Sequence, residues 1–131
     1  MAAEIEIQRA IYAALTAVGL RVYDSAPQVS DGGSVAVFPY VEVGMIVLSD
    51  FDTASEIGFD FVARIHTRSR SAGMAEAKGI QGQIYARLQR GSLVIANANF
   101  ILIQREASDC TRAADGSFHG VCEYRGLIET A

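Results

Sequence analysis

Apolar residues recur along this chain with two different spacings, and the switches between them divide it into helices and strands. Over residues 3 to 18, Ile7, Ile11, Ala14, Leu15 and Val18 fall at i, i+4, i+7, i+8 and i+11. That is the stripe of an amphipathic helix, and Gly19 stands where it should stop. Leu20 to Tyr23 reads as a short strand. Residues 24 to 37 then gather Pro, Asp and paired Gly into a loop that is long for a small domain, a kind that serves a function or orders on a partner. Tyr40 to Leu48 is an apolar, β-branched run that predicts a strand with Val41, Val43, Met45 and Val47 on one face. A polar connection covers 49 to 55. From Ile57 the alternation puts Ile57, Phe59, Phe61, Ala63 and Ile65 on a core face. Gly58, Asp60, Arg64 and His66 take the face left for water or a partner, and only Val62 breaks the pattern.

Ser71 is placed to cap a second helix running to about Arg90, with Gly91 as its stop. At 100° per residue Ala77, Ile80, Ile84 and Leu88 form its core face, while Ala75, Gly79, Gly82 and Ala86 line up on the opposite side. A glycine inside a helix costs about 1 kcal/mol relative to alanine, so two of them on an outward face call for an offsetting gain, which the close approach of another backbone would supply. Residues 98 to 108 and 118 to 128 are two further strands joined through Ala114-Asp115-Gly116, a hairpin signal. The expected architecture is a single α+β domain over residues 1 to 131. Its order is α-β-β-β-α-β-β, with a mostly antiparallel sheet and both helices on one face.

Composition is that of an ordinary globular chain, half apolar and one fifth charged over 131 residues. A formal net charge of −4 disfavours a general phosphate-binding surface. Lys78 is the sole lysine and every other basic residue is arginine, the cation enriched at protein interfaces. The opening MAAEIEIQRAIYAAL is unlike a signal peptide, and no apolar run is long enough for a membrane span, so synthesis in the cytosol is expected. Cys110 and Cys122 are then expected as free thiols.

Candidate chemistry is sparse. No glycine-rich phosphate loop is present. His66, Cys110, His119 and Cys122 superficially suit zinc, but the odd spacing of His119 and Cys122 sends them to opposite faces of a strand. Neither histidine stands in a nucleophile motif, and the carboxylates Asp50 and Asp52 beside Phe51 read as a solvated acidic turn. The expectation is a protein that is not an enzyme and needs no metal or cofactor. A small cytosolic hydrolase or ligand-binding domain is the alternative from another class.

Five blocks, in this order and spacing, carry a resemblance to a known family: AIYAAL before RVYDSAPQ (10 to 28), FPYVEVG (38 to 44), DFDT (50 to 53), HTRSRSAGMAEAKGIQGQIYARL (66 to 88) and RAADGSFHGVCEYRGLIE (112 to 129). The chain resembles the phage tail-completion, or tail-terminator, proteins of long-tailed phages, prophages and gene transfer agents. Phe51 departs from an expected Trp, and Thr67 from a position that often holds an aromatic residue. The resemblance implies a virion protein assembled in the host bacterial cytoplasm. It implies a homo-oligomeric ring, a hexamer, that caps the tail tube at its head-proximal end, stops its polymerisation and offers a surface to the head-completion or connector protein. DNA would pass through the lumen without specific binding. Another neck, connector or tail-tube ring protein is the alternative within this class. Closed rings need two different contact patches per subunit. The stripe Ala75, Gly79, Gly82 and Ala86 and the polar strand face with Arg64 and His66 are the expected interfaces. Asp31, Asp50, Phe51 and Asp52, in the loops, are the expected docking points for tube or connector.

Overall fold

The computed structural model describes residues 3–24, 37–52 and 56–130. Helix α1 (Ala3–Ala17) buries Ile7, Ile11, Ala14 and Leu15 as its stripe requires. It closes with Gly19 at φ +89°. The Gly19 N–H donates to the Thr16 carbonyl at 3.0 Å and the Leu20 N–H to the Leu15 carbonyl at 3.3 Å, the paired bonds of a Schellman stop. Val18 lies beyond the last turn and is exposed, so it leaves the stripe that the spacing assigned to it.

The sheet has five strands in the order β1-β2-β3-β5-β4: β1 (Val22–Tyr23), β2 (Tyr40–Asp50), β3 (Gly58–Ser69), β4 (Ala98–Arg112) and β5 (Phe118–Thr130). Only β1 against β2 is parallel, and the other pairs are antiparallel. The expected α-β-β-β-α-β-β order therefore holds. Along β3 the core side carries Phe61, Ala63, Ile65, Thr67 and Ser69, whereas Ile57, which the alternation assigned to this side, precedes the strand and is 56% exposed. Its partner β5 contributes Phe118, Cys122, Tyr124 and Ile128 to the same side. Both helices cover this side, and their buried residues join it in one hydrophobic cluster.

Two strands depart from simple alternation: β4 shifts register against β5 between Phe100 and Leu102 and again between Arg105 and Ala107, and β2 shifts against β3. The β2 to β3 register shifts between Val43 and Ile46, a bulge that adds one residue to β2. Since side chains alternate, one extra residue exchanges the faces: Val41 and Val43 are buried, but beyond the bulge Ile46 and Leu48 pack on the core while Met45 and Val47 stand 55% and 48% exposed. The expected single face of Val41, Val43, Met45 and Val47 is corrected accordingly.

Helix α2 (Ala75–Leu88) uses Ala77, Ile80, Ile84 and Leu88 as its core face and adds Gln81. Its start differs from expectation. Met74 occupies the N-cap with no side-chain hydrogen bond, while Ser71 lies outside the helix and its N–H donates to the Ser69 hydroxyl. The end is earlier too. Leu88 is the last helical residue, and the left-handed position falls on Arg90 at φ 53° rather than on Gly91. Gly91 is needed for space: a Cβ there would lie 2.5 Å from the Arg87 carbonyl oxygen. From this helix, Gln81 Nε2 donates to the Asp109 carbonyl at 2.7 Å, the Arg90 N–H to the Ile103 carbonyl at 2.9 Å, and Gln89 Oε1 accepts from the Arg105 N–H at 2.7 Å. Edge strand β4 is thus covered at intervals along its outer side, which shields an otherwise open strand edge.

Candidate assembly surfaces

Two surfaces lie outside the core, on opposite sides of the molecule. The first is the outward side of α2, where Ala75, Gly79, Gly82 and Ala86 are all exposed. A Cβ added at Gly79 or Gly82 would meet nothing within 4 Å, so neither glycine is required by contacts inside the described chain. Beside Gly82 an open groove of about 650 Å³ runs between α2 and β4, lined by Lys78, Gln81 and Arg105 to Cys110.

The second is the sheet face that no helix covers. Here β3 presents Asp60, Val62, Arg64, His66 and Arg68, and the antiparallel register sets β5 residues beside them. Arg64 Nη2 is 3.1 Å from the Glu123 carboxylate directly opposite. Arg125 grips Asp60 diagonally with its Nε at 2.9 Å from Oδ1 and an Nη2 contact to Oδ2, and its Nη1 is 3.9 Å from Glu106. His66 Nδ1 and His119 Nε2 are 2.9 Å apart with the rings stacked, centroids 5.1 Å apart. Such a bond needs one ring nitrogen to donate and the other to accept, so at least one of the two imidazoles is neutral, and protonating both would break it. Partial burial lowers both histidine pKa values, and Arg68 lowers both further; Glu42 opposes this at His66, and Asp109 at His119. Exposed pairs of this type contribute only about 0–1 kcal/mol each. Their effect is on the surface itself: the charges of the middle of this face are matched within the subunit, so another surface can cover it without stranding an ion.

At one end of the same face Tyr40 sits between Tyr23 and Phe38, ring centroids 5.3 and 5.0 Å away, and the Arg70 guanidinium lies 4.0 Å over Phe38. Arg68 is the register partner of Tyr40. Arg21 Nη1 donates to the Pro39 carbonyl at 3.0 Å. At the opposite end, Asp50 closes β2, the Phe51 N–H donates to the Gly58 carbonyl at 2.8 Å, and Asp52 Oδ1 accepts from the Gly58 N–H at 3.3 Å. Phe51 is 46% exposed.

The sequence-selected residues are therefore not one site. Arg64 and His66 lie on the uncovered sheet face, the four small residues on the far side of α2, and Asp50, Phe51 and Asp52 at the acidic end of the sheet; Asp31 lies outside the described residues. Sequence reading weighed His119 only as a metal or base candidate, and it missed Glu123, Arg125 and the cluster around Tyr40. Their signal was the alternation of His119, Val121, Glu123 and Arg125, which becomes legible only once β5 is known to pair with β3. Cys122 is fully buried, and burial raises its thiol pKa. Among the described residues no group of three or more His, Cys, Asp or Glu could hold a metal ion, and no helix is long and apolar enough to cross a membrane.

The fold is two helices on one side of a mostly antiparallel sheet, and the family pattern that the chain matches makes it a structural protein of a phage-type tail. The chain belongs to the tail completion protein gp17 family, whose pattern it matches over residues 9–129. Its fold is similar to that of a chain in the virion of a native gene transfer agent particle, with a TM-score of 0.83, 21% identity and 98% of each chain covered. No curated protein sequence matches it significantly.

Proposed function

We propose that this protein forms a closed homo-oligomeric ring, a hexamer, that caps the tail tube at its head-proximal end and joins it to the head. Family membership over nearly the whole chain supports a tail-completion role. The observation that carries the ring is that the two open surfaces are unlike one another. The outer side of α2 is small and uncharged, whereas the free sheet face is ionic and aromatic at one end. Unlike patches make head-to-tail contacts, which close into rings when the rotation allows.

In this reading Ala75, Gly79, Gly82 and Ala86 approach a neighbouring subunit on one side, and Arg64 and His66 belong to the contact on the other. Asp50, Phe51 and Asp52, with Asp31 in the preceding loop, dock on tail tube or connector. Assembly takes place in the host cytoplasm, and DNA crosses the lumen without specific binding. The test is particle morphology. A genome lacking this gene should give tails of irregular length separate from filled heads, and supplying the protein should restore fixed length. Tails of normal length and normal attachment in its absence would contradict the role.

A further inference from the structure

Arginines gather around aromatic rings at one end of the strands, with Glu42 also near Tyr40, and carboxylates gather at the other end. At the end where β2 begins and β3 finishes, Arg21, Arg68 and Arg70 surround Phe38 and Tyr40. Arg21 and Arg70 are exposed and Arg68 is half-buried. The nearby carboxylate of Asp115 is engaged by Ser117, accepting from its N–H at 2.9 Å and its hydroxyl at 2.6 Å. At the other end, Asp50, Asp52, Glu56 and Glu129 gather around Gly58, which pairs with Glu129 and bonds Phe51 and Asp52. The Glu129 carboxyl is hydrogen-bonded to that of Glu56, and this contact raises its pKa. Two carboxyl groups held side by side repel when both are ionised and gain from a planar cation that spans them. Apolar Phe51 and Ile57, 46% and 56% exposed, flank them as Phe38 flanks the arginines.

We infer that the arginine–aromatic end of one subunit docks on the acidic end of a second copy, making a head-to-tail contact through guanidinium–carboxylate pairs. A second copy is the occupant because the same chain carries the complement: three arginines around aromatic rings at one end, and four carboxylates beside apolar side chains at the other. Arginine forks match paired carboxylates in two parallel bonds. This contact rests on the ring reading, and it gives Asp50 and Asp52 to a second copy where that reading gave them to tail tube or connector.

The experiment is a charge swap followed by light scattering and native mass spectrometry at matched concentration. Arg68→Glu/Arg70→Glu makes both ends acidic, and Asp50→Arg/Glu56→Arg/Glu129→Arg makes both ends basic. Each variant alone should remain monomeric, an equimolar mixture should co-assemble, and the milder Arg68→Gln/Arg70→Gln should weaken assembly at least about tenfold. Wild-type assembly should weaken between about 0.1 and 1 M salt, as the screening length drops from ~10 to ~3 Å. Circular dichroism confirms that each variant is folded. If wild type forms rings and both swapped variants do so equally well, the end-to-end contact is wrong while the ring stands. If folded variants stay monomeric together, the pairing is wrong. If the arginine variant assembles normally but loses binding to a DNA duplex, the patch serves phosphate and the inference is overturned. A wild type that never assembles overturns the ring and this contact together.

Discussion

Single atoms decide several features of this fold. Gly126 lies on the core face of β5 opposite Phe61, and a Cβ there would overlap the Phe61 ring, which is fully buried. Gly126→Ala should therefore destabilise by about 1–3 kcal/mol through forced displacement of that ring. Thermal melting checks this, and an unchanged midpoint would show that the ring moves freely. The histidine pair makes a second residue-scale prediction. Both folded pKa values are lowered from the ordinary 6.5, so between the folded and unfolded values the unfolded chain holds more protons. The pair's contribution is accordingly full above pH 6.5 and is lost as pH falls through the folded values. Denaturant titrations should show stability declining on acidification from pH 6.5, and His66→Gln/His119→Gln should flatten that part of the profile. An identical pH profile in wild type and double variant would refute the assignment.

At the scale of elements, α2 separates a helix's own stability from what its exposed side is for. Gly79 and Gly82 have open space around their absent side chains, so Gly79→Ala should raise the stability of the isolated subunit by about 0.5–1 kcal/mol, read as a higher melting temperature. A loss of stability would mean that a contact inside the subunit requires the glycine. Helix α1, the core faces of α2 and β3 and the hairpin between β4 and β5 could be read from residue order, because periodicity and stop residues are local properties. The bulge in β2 could not. It follows from how β2 pairs with β3, and the only local sign was Gly44, an isolated glycine inside the run that falls between Val43 and Ile46. The same holds for the free sheet face: Arg64 and His66 were visible as polar alternation, but Glu123 and His119 join them only through strand register. Ser71 looked like a cap from its position, yet the helix begins later and it is Ser69 whose hydroxyl donates to Glu76, at 2.6 Å.

At the scale of the whole molecule the proposed ring is supported by membership of a tail completion family together with two unlike open surfaces. Gly82→Glu tests the α2 contact, placing bulk and charge where a neighbour's backbone should approach. This variant should keep a native circular dichroism spectrum and a melting temperature no lower than wild type yet lose assembly, and assembly equal to wild type would remove α2 from the interface. The most direct measurement is the native mass and electron-microscope image of the purified wild-type protein, alone and with tail tubes added. A closed ring of one fixed subunit number that seats once on a tube end is the expected result. A monomer under both conditions, or an open-ended stack that continues to grow, would contradict it.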